Sequence, residues 1–298
     1  MTNTPLERDL FALTRRWEFM LQPSISLNEV SALRAHRWRT TTDRRVSSES
    51  EALCFIRELG FALLMPIAGA DMPSIHTAVQ EEWSWWDWKQ TLPERKACYY
   101  AKVLRRRGTF ISWDWFPCFY VAYADPRSYE QQYREGLLDR DEKRILDLLS
   151  DMGPLMTRDI RLAFGPRSKE NTRRVKAILV ELQTRFLITA AGGETTGWSH
   201  HRWDLVQRWV NPRVFAETTQ LSPDKARVEI LDQFIQIVYA ATPADIGYLF
   251  GWSKDSIASA VSELIVRRRI RTAIAQELNS EVLVPATLMR QPVQGNKL

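Results

Sequence analysis

The chain has 298 residues, 45% hydrophobic and 26% charged, which suits two or three folded domains and excludes a disordered or fibrous class. Lys and Arg number 41 against 36 Asp and Glu, a formal net charge of +5, compatible with a polyanionic partner without proving one. The three cysteines, Cys54, Cys98 and Cys118, form no C-x-x-C pair and exclude a disulfide framework.

In chain order, Met1 to Arg16 carries Glu7, Arg8 and Asp9 and is not a signal peptide. No stretch approaches the ~20 apolar residues of a membrane span, so no membrane partner is expected and the expected location is the cytoplasm. Ser26 caps a helix to about Arg37, with Glu29 completing a capping box and Leu27, Val30 and Leu33 at helical spacing. A basic segment, Arg37 to Arg45, follows. Ser47 or Ser48 opens a second helix, with Ala52, Leu53, Phe55, Ile56 and Leu59 apolar and Gly60 as its stop. Phe61 to Ile67 is a continuous apolar run. Glu81 to Phe119 is aromatic-rich and holds Trp83, Trp85, Trp86, Trp88, Trp113 and Trp115. Leu92 to Lys96 reads as a loop entering a helix, with Pro93 early. That helix continues through Tyr99 to Leu104 and ends at Arg105-Arg106-Arg107-Gly108. Asp125-Pro126-Arg127-Ser128 marks a boundary.

A repeat organises the rest. Asp159-Ile160-x-x-x-Phe164-Gly165 recurs as Asp245-Ile246-x-x-x-Phe250-Gly251. A Ser-Lys-acid cap follows each copy, Ser168-Lys169-Glu170 and Ser253-Lys254-Asp255. Glu181-Leu182-x-x-Arg185-x-x-Ile188 then matches Glu263-Leu264-x-x-Arg267-x-x-Ile270. Each copy reads as a short helix, a Gly turn, a longer helix and a strand, the order of a winged helix-turn-helix. The first copy has helices over about Asp141–Leu149 (Ile145, Leu148 and Leu149 buried), Thr157–Phe164 and Ser168–Phe186. Its strands are Leu187–Ala191 and Trp198–His201, joined by a wing turn over Gly192–Gly197. The second has helices from about Lys225, over Pro243–Phe250 and over Lys254–Arg268, with Arg271–Ala275 and Val282–Val284 as its wing. Phe164 and Phe250 are expected to be equivalent core residues, and the tail from Arg290 to be frayed. The expected fold is mainly α with small β wings, in tandem winged helix-turn-helix domains. These are 135–212 and 222–290, preceded by a helical, Trp-rich module over 1–130 that is itself a candidate divergent winged helix.

The two long helices differ. On a wheel at 100° per residue, Lys169, Arg173 and Lys176 face away from the stripe of Val175, Ile178, Leu179 and Leu182, with Arg174 beside them. That face suits phosphate contact. The corresponding face of the second copy, Asp255, Ser259, Ser262, Glu263 and Val266, is neutral to acidic and suits packing or a homodimer. Arg105, Arg106 and Arg107 form a further basic cluster near Trp113 and Trp115, an arrangement that can hold bases by stacking, although clustered Trp more often builds a core or seam. Arg267-Arg268-Arg269-x-Arg271 is another. His200 and His201, adjacent on a strand, point to opposite faces and do not form a metal site. His36 and His76 have no evident partner. There is no G-x-G-x-x-G, G-x-x-x-x-G-K-[ST] or H-E-x-x-H; neither cofactor nor metal is expected.

The order of the Ser26-x-x-Glu29 helix, the Leu59-Gly60 step into an apolar strand and then paired winged helices resembles the AlkZ/YcaQ-type DNA glycosylase superfamily, over about residues 25 to 285. The resemblance implies duplex DNA, damaged or crosslinked, as partner. It also implies a Gln-x-Asp or Gln-x-Gln pair a few residues after Leu59-Gly60, positioning water at the sugar. Leu63-Leu64-Met65 stands there instead, and such side chains cannot orient water. Asp71 is the one nearby carboxylate, a candidate displaced acid or a turn residue. The expected function is duplex-DNA binding tied to repair, without standard glycosylase activity. The alternatives are an active glycosylase, a hydrolase of N-glycosyl bonds using Asp71, and a transcriptional regulator that dimerises through the second winged helix.

Overall fold

Short polar caps set where the helices begin. Ser48, Asp139, Ser168, Ser222, Thr242 and Ser253 each sit in extended backbone and accept a hydrogen bond from an amide of the following first turn, satisfying donors that a helix start leaves without partners. The computed structural model describes residues 23–80, 83–195 and 200–288. They are mostly helical, with small sheets.

Strand β1 (Ser24–Ile25) and helix α1 (Leu27–Arg37) come first. The same order of elements then occurs three times. Unit one has α2 (Glu49–Leu59), β2 (Phe61–Leu63), α3 (Ile75–Ala78), α4 (Trp88–Glu94), β3 (Tyr99–Lys102) and β4 (Gly108–Ile111). After α5 (Phe116–Tyr123) and α6 (Tyr129–Arg134), unit two has α7 (Arg140–Met152), β5 (Leu155–Met156), α8 (Thr157–Ala163), α9 (Lys169–Thr184), β6 (Ile188–Glu194) and β7 (His200–Leu205). The short helices α10 (Val206–Trp209) and α11 (Pro212–Thr218) lead to unit three. It has α12 (Pro223–Val238), α13 (Pro243–Phe250), α14 (Lys254–Val266), β8 (Ile270–Ala275) and β9 (Ser280–Pro285). The sheets run β2-β4-β3, β5-β7-β6 and β1-β8-β9. In unit three a single bridge from Ala241 to Leu283 stands where the other units have their first strand. In every unit the last strand is flanked by the first strand, or its bridge, and by the strand that precedes it.

Several sequence expectations are corrected. Tyr99 to Lys102 is a strand, paired with Gly108–Ile111, because helix α4 has already ended at Glu94, with Pro93 inside its last turn rather than at an early position. Ser26 does cap α1, but Glu29 closes no capping box; Glu277, far along the chain, accepts from Ser26 Oγ at 2.7 Å and Leu27 N at 2.8 Å. In α7 the buried leucines are Leu146 and Leu149, while Leu148 is half-buried. Strand β6 runs on through Gly192 and Gly193 with a register shift, so these glycines bend a strand instead of forming a turn. Residues 196–199 of the expected wing, the tail from Arg290 and the N-terminal segment lie outside the described residues. Phe250 is buried, but Phe164 is only half-buried, with the guanidiniums of Arg144 and Arg174 over its ring at 5.0 and 5.7 Å.

The expected boundaries do not divide the core. One cluster of buried side chains takes in Phe55 and Phe61 of unit one, Leu149 and Phe186 of unit two and Phe234 and Phe250 of unit three. The rings of Phe61 and Phe250 lie 6.4 Å apart, and Tyr99 stacks on Phe186 at 5.3 Å. Helix α5 is the keystone: Phe116 and Phe119 are fully buried, and Tyr123 Oη donates to Phe250 O at 3.0 Å. Among the described residues the three cysteines are free, and no helix is long and apolar enough to cross a membrane.

Candidate nucleic-acid interface

Units one and two meet along a cleft of about 480 Å3. The β3–β4 hairpin forms one wall by docking on unit two. Lys102 N donates to Gln183 Oε1 of α9 at 3.0 Å, and Thr189 Oγ1 of β6 donates to Tyr100 O at 3.2 Å. At the hairpin tip Arg105 and Arg106 both occupy left-handed backbone, φ 50° and 58°, a turn geometry usually supplied by Gly or Asn. Gly108 follows because Tyr100 leaves it no room: a Cβ there would collide with the phenol oxygen. The opposite wall comes from α8, α9 and β7. Trp203 Nε1 donates to Thr157 Oγ1 at 2.8 Å, and Thr157 Oγ1 donates to His201 O at 3.1 Å.

Six cationic side chains line this cleft: Lys89, Lys102, Arg106, Arg107, Arg161 and Lys176. His200 and His201 join them, and no Asp or Glu is among the lining residues. A second hollow of about 350 Å3 adjoins it through Arg161 and His200 and adds Arg158 and Arg167, again without a carboxylate in its lining. Burial, then the charges of Lys176 and Arg107, lower the Lys102 ammonium from its usual value. Burial, only partly offset by Asp87, brings Lys89 down to about 8. His201 falls to about 3, from burial first and then the charges of Lys89, Lys102 and His200. Glu181 pairs with Arg106 and Glu194 with Arg158 from outside the lining, but cations still outnumber carboxylates here; like charges held together raise each other's energy, and a bound anion relieves it.

The expected site residues scatter around this cleft. Lys176 lines it. Lys169 and Arg173 are exposed on the same helix, outside the lining. Arg174 is held by Asp141, its Nε donating at 2.6 Å. Arg106 and Arg107 line the cleft, Arg106 also pairing with Glu181 at 2.5 Å. Arg105 turns away and lies 4.4 Å over the Tyr248 ring of unit three. Trp113 and Trp115 face the interior: Trp113 packs 5.6 Å from both Phe116 and Trp209, the seam role and not a base platform. Asp71 is exposed in a loop and pairs with Arg34 at 2.6 Å, outside the cleft. In the Arg267 to Arg271 cluster, Arg267 pairs with Glu229 and Glu263, and Arg269 with Asp232. His36 has a partner after all, Arg44 Nη1 at 2.6 Å from its Nε2, and His76 packs 5.3 Å from Trp85.

Leu63 is fully buried behind the sheet, while Leu64 and Met65 line the cleft. The segment that replaces the expected polar pair therefore does border this space. Lys89, Lys102, Arg161, His201 and the exposed Trp86 were not expected. Tyr99-Tyr100-Ala101-Lys102 has no apolar–polar alternation, being buried over its first three residues, so its strand character was not signalled. Nothing local marks Lys89 or His201, whose character comes from what buries them.

The family described as AlkZ related matches residues 46–251. The chain belongs to the AlkZ-related family. Among solved structures it is similar to the DNA glycosylase AlkZ of Streptomyces sahachiroi, with 13% sequence identity, a TM-score of 0.51, and coverage of 88% of this chain and 70% of that one. At that identity the likeness speaks for the fold. No curated protein matches the sequence. The AlkZ-related match spans all of unit one and unit two and ends at Gly251, just after α13 of unit three.

Proposed function

We propose that this AlkZ-related chain binds duplex DNA in the service of DNA repair, through three winged-helix units, and lacks standard glycosylase activity. The observation that carries the reading is the cleft between units one and two, with six cations and no carboxylate among its lining residues. Duplex DNA is a line of phosphates, and Lys and Arg that neutralise it release counterions, so affinity falls with salt. Family membership and the likeness to a DNA glycosylase favour repair over other uses of such a face, and damaged DNA over plain duplex.

Excision requires a group that orients water and offsets positive charge growing on the sugar. Leu64 and Met65 do neither. Asp71, the candidate for an active glycosylase, is engaged by Arg34 outside the cleft. A homodimer belongs to the same reading: Ile265 and Val266 of unit three are exposed, on a helix whose outward face is otherwise neutral to acidic.

Fluorescence anisotropy across a salt series tests the binding. Arg107→Gln with Lys176→Gln should lower the slope of log affinity against log salt by about 2, near 0.9 for each phosphate no longer neutralised. An unchanged slope in a folded double variant overturns the interface. A single-turnover assay on alkylated or crosslinked duplex tests the second half. Abasic product above background overturns it, and its loss in Asp71→Asn would restore Asp71 as the acid.

A further inference from the structure

Lys89 has no part in the binding reading beyond its charge, yet it is the least ordinary amine in the cleft. It is the second residue of α4, and its side chain is largely buried. Nζ donates to Trp86 O at 2.9 Å and lies 3.5 Å over the Trp86 ring. Trp86 itself is 41% exposed and lines the cleft with Lys89, Met65 and His201. The cleft thus holds a largely buried primary amine against one face of the exposed Trp86 ring, among cations.

We propose that Lys89 captures the aldehyde of an abasic deoxyribose in DNA as an imine, with Trp86 filling the gap left by the missing base. The proposal rests on the DNA-binding reading above. An aromatic face stacks on neighbouring bases whatever their identity, and an abasic gap is where such a ring fits without displacing a base. Capture requires the neutral amine. Burial, only partly offset by the charge of Asp87, favours that form. The other cleft lysines, Lys102 and Lys176, lie on the hairpin and on α9, away from the Trp86 ring that covers the Lys89 amine.

The step is a condensation. The lone pair of Nζ attacks C1′ of the ring-opened sugar, and a carbinolamine forms. The carbonyl oxygen then leaves as water with the two amine protons, and a C=N bond joins Nζ to C1′. No oxidant or cofactor is needed.

The test is borohydride trapping on a duplex with one abasic site, beside the same duplex without it. Anisotropy on the unreduced samples reports binding separately. The expected result is a denaturant-stable protein–DNA adduct only with the abasic duplex. Proteolysis and mass spectrometry should place it on Lys89, and Lys89→Arg should reduce the adduct at least tenfold per molecule of bound duplex, the bound fraction being read by anisotropy on the same samples. Binding without an adduct, or an adduct on Lys102 or Lys176, overturns the inference and leaves the DNA reading standing. Absence of binding overturns both. Mapping the adduct in the unaltered chain decides the question even if the Lys89 variant fails to fold.

Discussion

His201 shows how surroundings remake a residue. Its ring packs 5.8 Å from Tyr100 and 5.2 Å from Trp203, and Nδ1 is buried without a hydrogen-bond partner among the described residues. Its value near 3, against an ordinary 6.5, means that the folded chain keeps it neutral where the unfolded chain would protonate it. The neutral ring's contribution is therefore fully present above 6.5 and is lost progressively as pH falls from 6.5 toward 3. His201→Phe should remove that dependence. Thermal melts at pH 7 and pH 5 should show the unaltered chain losing more stability than the variant, by up to about 1.4 kcal/mol per pH unit. Equal losses would mean that the ring is solvated. Lys176 was legible from helical periodicity, since its outward position is a property of sequence. Lys89 and His201 were not, because desolvation is produced by elements distant in the chain.

At the scale of elements, the step from α2 into β2 depends on Gly60. Its φ of +82° lies where an L side chain costs roughly 1–2 kcal/mol, and a Cβ would meet the Trp115 ring at 2.5 Å. Gly60→Ala should therefore destabilise by about 1–3 kcal/mol, read as a lower denaturant midpoint with unchanged slope; a shift under about 0.5 kcal/mol would show that Trp115 can move aside. The helices of units two and three were readable because caps, apolar periodicity and flanking glycines agree at each of them. Ser168 caps its helix where expected, the helix expected from about Asp141 begins one residue earlier at Arg140, and Pro243–Phe250 matches the expectation residue for residue. The unit-one hairpin was not readable. Its strands are four residues each and its turn is made by arginines, so neither periodicity nor turn chemistry announces it. The likeness of unit one to the others lies in sheet order, not in shared residues.

Across the whole molecule, the beginning of the described chain is fastened to its end. Strand β1 runs parallel to β8, with Ser24 opposite Ile274, and Glu277 holds the start of α1. Those bonds bring the Glu277 carboxyl down to about 2, so they hold at neutral pH and loosen only as pH falls below the ordinary 4.5 toward 2. Glu277→Gln should leave the main melting transition nearly unchanged, because a separate, smaller buried cluster lies there, with Ile25, Val30, Ala273 and Val284. It should instead speed amide exchange across Leu27–Arg37, measured by mass spectrometry; unaltered exchange would show that apolar packing alone secures the helix. The fastening also imposes an order of assembly. Arg34 donates to Val238 O and Ala240 O, and Trp38 to Ile237 O, so α1 is made first on the ribosome yet its acceptors are made some 200 residues later. Chain ends that must find each other close last, since long loops are entropically slow to shut. Until the final hairpin emerges, α1 therefore has its contacts to Glu58 and Asp71 but lacks its partners in units and strands made later, leaving it open to proteases and chaperones.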